Sequence, residues 1–416
     1  MEKVEREHIE LKPIRGFTFI GDPGCDGLGV EIMSIFNAAC NEAAGDFLLI
    51  GGDIVPNGTQ HFYKNVVEMT DTAVSKPAID KPVYMLAGNH DTQDYEAFFG
   101  LKNYFLHNSG LLLVVLDNSK RAFSQETLDL LQRALEYERD NIVLAFHIPP
   151  PNTVSGNSVS AEEWDKVLAI ISPVREKVKY ILCGHIHSYF EDDVNGMKLI
   201  ATGGGGARIE EVKGVQAPYH HFVEFSFDSS GRLGYSRKQV AFSKAHEIPP
   251  AVRGELERAF AGECQAHIRY RLYAEDALKN NKPALAKLFS AAADSEFYHA
   301  RNFYYALQNF KPSLEAVRES IVNEADEVNT IYLNALNLAR QQGAGLAAYA
   351  FEDARAAESV HLRLLREAEG TLAAEPDIQE RQYYSCSSCG HTITDINSVK
   401  YCPVCGAPPD KILAVD

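Results

Sequence analysis

Apolar residues over the first 240 positions fall in short unbroken runs. FTFIGD, DFLLIGGD, VYMLAGNHD, LLLVVLDN, NIVLAFH and KYILCGHIH each carry four to seven apolar residues and end in a polar or glycine cluster. Runs of that length with such ends predict buried strands. Segments 124–140 and 160–176 read as helices between them, and the alternation predicts an α/β fold. After the glycine run ending at Gly206 the sequence becomes β-rich in HHFVEFSFD and GRLGYSRKQV, which predicts further sheet.

The texture changes near 246–254. From 255 to about 372, Ala, Leu, Glu and Lys recur at helical spacing and β-branched runs vanish. Four helices are predicted, over 254–280, 283–309, 312–341 and 343–370, with breaks at Lys282-Pro283, Lys311-Pro312 and Gly343. This is the pattern of an up-down bundle. It also repeats: Glu263 is followed 33 residues on by Glu296, and Glu324 by Glu358 after 34. Two hairpins with the same acidic marks predict an internal duplication. Residues 371–382 read as a linker. The division expected is therefore 1–248, 249–372 and 380–416.

The chain has 416 residues, 45% hydrophobic and 23% charged, an ordinary folded composition that excludes a disordered or collagenous chain. The longest clean apolar run, Leu111 to Leu116, cannot span a bilayer. The charged start MEKVEREHIELK lacks the apolar segment of a secretory signal, so the expected location is the cytoplasm. A net charge of −17 speaks against nonspecific nucleic-acid binding as a main role. Of eight cysteines, Cys25, Cys40, Cys183 and Cys264 are scattered and read most simply as small buried hydrophobes. The other four form two close pairs, which in a cytosolic chain point to metal.

Polar residues collect at the predicted strand ends: Asp22, Asp53, Asn89-His90-Asp91, His147, His185 and His187. In open α/β sheets such ends converge on one crevice. Histidine, carboxylate and amide oxygen suit Mn, Fe or Zn, and two such ions bind a phosphate and polarise an attacking water. The order GD…GGD…GNHD…H…GHxH resembles the calcineurin-like metallophosphoesterases over about residues 15–240. The resemblance implies a four-layer α/β/β/α sandwich. It implies Asp53 as the bridge, Asn89, His147 and His185 on one metal, and Asp22 and His187 on the other. His90 would protonate the leaving alkoxide and Asp91 would orient it. One mark departs from the family: Gly24 stands where many members carry histidine, and Pro56 stands where the purple-acid-phosphatase variant places a tyrosine. Cys25, Asp26 or water are the candidate replacements.

Glu296-Phe-Tyr-His299 and Glu358-Ser-Val-His361 are two E-x-x-H motifs on separate helices. At that spacing both side chains leave one helical face. With Glu263 and Glu324 from the other two helices they form the di-iron carboxylate pattern of ferritin-like bundles. Glu327 adds one carboxylate more. AFAGECQA, AADSEFYHA, NEADE and AAESVH closely resemble rubrerythrin over 255–370. That resemblance implies that Glu296 and Glu358 bridge two irons. Glu263 would hold one iron, Glu324 and His361 the other, and Glu327 and His299 would exchange at the first as the redox state changes. Tyr270 and Tyr332 would hydrogen-bond the ligands, and the reaction would be reduction of hydrogen peroxide to water.

Cys386-x2-Cys389-x12-Cys402-x2-Cys405 is a tetrathiolate signal for one tetrahedral ion, iron or zinc. YYSCSSCG and CPVCGAPPDKI resemble the rubredoxin tail of rubrerythrins, which favours an Fe(Cys)4 electron relay. The resemblance also implies a homodimer in which the tail serves a partner's bundle, and an electron donor protein or NAD(P)H-linked reductase. Two further readings stay open: a sensor in which the bundle regulates hydrolysis of an unidentified phosphoester, and a degenerate N-terminal scaffold.

Overall fold

A computed structural model describes the chain apart from residues 75–80, 92, 138, 213–214, 216–218, 243–247, 308–310, 376 and 416. The change of texture at 246–247 and the expected helix end at 309 lie outside the described residues. The chain forms two compact units, Met1–Asn309 and Phe310–Asp416.

The strands of the first unit are β1 (His8–Glu10), β2 (Gly16–Ile20), β3 (Leu48–Ile50), β4 (Val83–Met85), β5 (Tyr104–His107), β6 (Leu112–Val115), β7 (Ile142–Ala145), β8 (Val178–Cys183), β9 (Tyr189–Val194), β10 (Met197–Thr202), β11 (His221–Phe227) and β12 (Leu233–Gln239). They make a seven-stranded sheet in the order β1-β5-β6-β7-β8-β10-β9 and a five-stranded sheet in the order β12-β11-β2-β3-β4. Both are mixed. β2, β3 and β4 run parallel, as do β6, β7 and β8, whereas β11 pairs antiparallel with β2 and β12.

Helices α1 (Val30–Glu42), α2 (Gln60–Val74), α3 (Tyr95–Phe99), α4 (Gln125–Leu135) and α5 (Ala161–Ile171) complete the layers. Three separate cores mark the spaces between four layers. Ile20, Leu48 and Ile50 pack with Ile35, Phe36 and Tyr63 of α1 and α2. The alternate residues Phe17, Phe19 and Leu49 face Leu113, Val115 and Val143 of the other sheet. Leu112, Val114 and Leu144 pack beneath Leu131 of α4 and Trp164 and Val167 of α5. Strands buried on both faces read as continuous apolar runs, which is why the sequence shows no alternation there. α4 and α5 begin at Ser124 and Ser160, whose side chains accept from the Thr127 and Glu163 amides. The expected α/β/β/α sandwich is the fold observed.

The first unit continues into a hairpin of α6 (Pro250–Lys279) and α7 (Pro283–Ala306). The buried residues of the two helices are all alanines, Ala274 and Ala277 on α6 and Ala286, Ala293 and Ala300 on α7, small side chains that let the helices approach closely. The second unit contains α8 (Ser313–Asp326), a π turn at Glu327–Ile331, α9 (Tyr332–Gln341) and α10 (Gly345–Leu372). The single helix expected over 312–341 is thus interrupted. The π turn frees backbone carbonyls, and Arg355 Nε of α10 donates to that of Val328 (2.7 Å). The unit ends in a small sheet of β13 (Tyr384–Cys386), β14 (Thr392–Ile393) and β15 (Ile412–Ala414). Among the described residues no helix is long and apolar enough to cross a membrane.

Candidate metal centres

The C-terminal ends of five parallel strands bring the N-terminal motifs together. Asp22 follows β2, Asp53 follows β3, Asn89–Asp91 follow β4, His147 follows β7, and His185 and His187 follow β8. Asp22, Asp53 and His185 hold positive φ (51°, 50° and 68°), a conformation costly for residues with a Cβ. Strain concentrated at three motif positions is typical of a functional site. Gly184 is required because a Cβ there would meet the Asp22 carboxylate and the Gly51 carbonyl.

His147 lies at the centre. Its Nε2 stands 3.1 Å from Asp53 Oδ2, 3.1 Å from Asn89 Oδ1 and 3.9 Å from Asp22 Oδ1. Nδ1–H donates to the Gly51 carbonyl (2.8 Å), which fixes the ring and turns Nε2 inward. Asp53, His147 and His185 form one group of mutually close ligand atoms, and Asp22, Cys25 and His187 form another. His187 Nε2 is 3.7 Å from Asp22 Oδ1 and 3.1 Å from Cys25 Sγ.

The electrostatics are those of a cation cradle. Burial, with Asp53 and Asp91 nearby, pushes the Asp22 carboxyl well above the usual range. Burial also lifts Asp91, to about 6. For Asp53 burial acts upward too, but the His147 charge and hydrogen bonds from His147 and the His90 amide outweigh it and hold the group low. His147, although desolvated, is held at about 9 by Asp53 and Asp22. Three buried carboxylates at one spot are costly unless positive charge joins them, so the donors fit two divalent ions.

The structure places two residues differently from expectation. His90 is not oriented by Asp91: its Nδ1 lies 3.0 Å from the Pro56 carbonyl. Asp91 instead accepts from the Gly88 and Ile54 amides and the Tyr63 hydroxyl, and so braces the loop that carries Asn89 and His90. The sequence reading missed Arg121. It follows β6 at the same sheet edge, has φ 60°, and puts Nη2 3.1 Å from His185 Nε2. The only hint was a cationic NSKR loop after a buried strand. Of the scattered cysteines, Cys40 and Cys183 are buried, but Cys264 is exposed and Cys25 belongs to the site.

The helical ligands form two alike half-sites, one in each unit. In the first, His299 Nδ1 is 2.8 Å from Glu296 Oε2 and 4.0 Å from Glu263 Oε1. In the second, His361 Nδ1 is 2.6 Å from Glu358 Oε2 and 3.9 Å from Glu324 Oε1. The duplication read from the sequence is therefore repeated in the geometry. Burial and the Glu358 carboxylate push Glu324 up to about 7, and its Oε2 is buried without a hydrogen-bond partner. Glu263 is raised by burial and by Glu296. Crowded carboxylates with an unused oxygen fit a cationic metal. Glu327 opens the π turn, outside the close trio, and is raised by burial and by Glu358. Among the described contacts neither Tyr270 nor Tyr332 hydrogen-bonds a ligand. Tyr270 packs on Phe289 and Tyr332 on Phe351, and burial, helped by the nearby acids Glu327, Glu358 and Glu324, raises the Tyr332 phenol.

Cys386 and Cys405 sulfurs are 3.7 Å apart, and those of Cys389 and Cys402 are 3.6 Å apart. A tetrahedron with bonds of about 2.3 Å has edges of about 3.8 Å, so the four thiols are set for one ion rather than for disulfides. Amides of Ser388 and Cys389 point at Cys386, bringing its thiol down to about 7 against the effect of burial. His361 Nε2 is 2.8 Å from Thr392 Oγ1, so the cysteine module rests on a bundle histidine within its own unit.

Fold and sites together define a phosphoesterase-type sandwich followed by a helical protein that carries a duplicated Glu/Glu/His metal-ligand trio and a tetrathiolate tail. The family model for calcineurin-like phosphoesterases matches residues 16–189, and that for rubrerythrin matches 255–359. Rubrerythrin-2 of Clostridium acetobutylicum is 32% identical over 173 residues, covering 38% of this chain and 94% of that protein. The chain belongs to the rubrerythrin family, with a calcineurin-like phosphoesterase domain ahead of it. Nigerythrin of Nitratidesulfovibrio vulgaris is 28% identical over 176 residues, 38% of this chain and 84% of its own length. The 3',5'-cyclic adenosine monophosphate phosphodiesterase CpdA of Haemophilus influenzae is 29% identical over 219 residues, 48% of this chain and 77% of that one. The cofactors are two irons in the bundle, one ion on the four cysteines and a dinuclear metal pair in the sandwich.

Proposed function

We propose that the chain reduces hydrogen peroxide to water in its helical part and hydrolyses a phosphoester in its sandwich. The observation that carries the first activity is the duplicated Glu/Glu/His trio. Glu263, Glu296, His299, Glu324, Glu327, Glu358 and His361 would hold two irons, which when bound supply two electrons to peroxide. The protein's part is to balance charge with carboxylates, to fix each imidazole through its neighbouring glutamate, and to bring electrons from Cys386, Cys389, Cys402 and Cys405. The 2.8 Å contact between His361 and Thr392 supports delivery within one chain, in place of the partner-served arrangement expected from the sequence. Iron on those cysteines, a cytoplasmic setting and an external donor protein or reductase complete this reading. Large apolar side chains left more than half exposed, Ile268, Leu272 and Phe297 on one hairpin and Val322 and Leu338 on the other, support a homodimer. Peroxide consumption by anaerobically reduced protein, with Mössbauer spectra counting the irons, tests the activity. Stoichiometric zinc on the cysteines and no peroxide turnover would refute it.

In the sandwich, Asp22, Asp53, Asn89, His147, His185 and His187 would hold two metals that polarise the phosphoester and the attacking water. His90 Nε2 would give its proton to the leaving oxygen, and Arg121 is placed to pair with a phosphoryl oxygen. The likeness to a cyclic-nucleotide phosphodiesterase makes a phosphodiester the first substrate class to assay. Arg121→Ala is expected to raise KM by about tenfold with a smaller change in kcat, measured on an aryl phosphodiester.

One observation favours the sensor reading as well. Tyr305 of α7 donates to Glu31 of α1 (2.7 Å), and Arg301 reaches the same carboxylate (3.4 Å). α7 carries Glu296 and His299, and α1 follows the loop that carries Asp22. A shift of α7 with redox state therefore has a path to the phosphoesterase. Hydrolysis rates of reduced and peroxide-treated protein are expected to differ by about fivefold, and Glu31→Ala to remove the difference. Equal rates in the unaltered protein would end this reading.

A further inference from the structure

The first metal of the sandwich lacks the histidine that relatives of its motif place at position 24, and the structure shows why no side chain can stand there. The Gly24 amide donates to the Asp53 carbonyl (3.0 Å), which draws this loop against the second motif. A Cβ on Gly24 would run into the Ile54 carbonyl oxygen, a backbone atom that cannot swing away. The next side chain enters the site instead. Cys25 is 7% exposed, and its sulfur lies 3.1 Å from His187 Nε2, within the same close group as the Asp22 carboxylate. Asp26, the other candidate, turns away: its Oδ2 accepts from the Arg208 amide (2.7 Å) and lies on the Nδ1 side of His187, at 3.9 Å.

We propose that Cys25 is a thiolate ligand of the first metal, completing with Asp22, His187 and the bridging Asp53 the set that the missing histidine leaves short. This rests on the dinuclear phosphoesterase reading and deepens it. The coordination changes the metal preferred. An all-oxygen-and-nitrogen site accepts Mn, whereas one thiolate favours the softer Zn or Fe and disfavours Mn and Mg. On binding, the thiol gives its proton to solvent and the sulfur lone pair forms the metal bond, with no change of oxidation state.

The test uses the full chain loaded with cadmium alone and read by cadmium NMR, in which each site gives its own resonance. The tetrathiolate resonance is an internal reference. Unaltered protein is expected to show a second resonance shifted toward thiolate coordination. In Cys25→Ser that resonance should move to the oxygen-and-nitrogen region, while the neighbouring signal from the Asp53, Asn89, His147 and His185 metal persists and reports an intact fold. Competition should show Zn preferred over Mn, and the preference reduced by about tenfold in Cys25→Ser. An unchanged spectrum in Cys25→Ser, with two metals still bound in the sandwich, would overturn the cysteine ligand and leave the phosphoesterase reading standing. No cadmium signal from the sandwich in either protein, or signals indifferent to Asp53→Asn, would overturn both. Gly24→His, which restores the familiar motif on paper, is expected to lower Tm and to fail to rescue Cys25→Ser, because the Ile54 carbonyl occupies its space.

Discussion

Glu358→Ala is expected to abolish peroxide reduction and to empty the bundle of iron, while leaving the tetrathiolate ion and phosphoester hydrolysis in place. Glu358 holds two neighbours at once. Its Oε2 is 2.6 Å from His361 Nδ1, and it shares a hydrogen bond with Glu324, whose carboxyl is pushed up to about 7 by burial and by that contact. Without the second carboxylate, Glu324 loses the partner with which it would balance a ferric or ferrous charge, and His361 loses the group that fixes its ring. Loss of an orienting neighbour alone typically costs 10- to 100-fold in metal affinity, so loss of a ligand that also orients should cost at least about 100-fold in turnover. Iron per chain and the rate of peroxide consumption with a supplied reductant decide the matter. Turnover within about twofold of the unaltered protein, with iron retained, would remove Glu358 from the centre. Glu296→Ala should behave alike, because its trio repeats the same distances; a large effect at one glutamate and none at the other would break the equivalence of the two hairpins.

What the sequence revealed follows from where the chain is constrained on both sides. Strands such as LLLVVL lie between two packed layers, so their apolar runs were legible without any periodicity. The motif residues stand at strand ends because only there can Asp22, Asp53 and His185 take positive φ without disturbing a ladder. Three features were not legible. The π turn at Glu327 leaves the helical period of NEADEVNTIY almost unaltered in the letters, since one extra residue in a turn shifts a face without changing composition. The choice of Cys25 over Asp26 or water, all three open in the sequence, depended on the backbone approach of Gly24 to Ile54, a contact between residues 30 positions apart. The bracing by Asp91 was hidden too: the family resemblance implies that Asp91 orients its neighbour His90, whereas the carboxylate turns to amides of Gly88 and Ile54. Adjacent letters in a loop predict shared location more reliably than shared bonds.

His90→Ala should lower kcat for phosphoester hydrolysis by about 10²–10⁴, the usual worth of a positioned proton donor, with little change in KM. The geometry gives the loss a recognisable form. With Nδ1 engaged at the Pro56 carbonyl (3.0 Å), the nitrogen left facing the metals is Nε2, 4.0 Å from Asp53 Oδ2. That nitrogen can reach a leaving oxygen but is not one of the metal ligands, so metal content should be unchanged. A proton donor matters in proportion to the basicity of the group that departs. Substrates with an alkyl leaving group should therefore suffer the full loss, and a nitrophenyl ester, which leaves without help, should be cleaved nearly as fast as before. A deficit equal for both leaving groups would assign His90 to substrate binding or metal positioning instead. Asp91→Asn separates bracing from proton transfer. It keeps the shape but weakens three hydrogen bonds to the loop, so it should lower Tm and depress both substrates alike, without the leaving-group signature that marks His90.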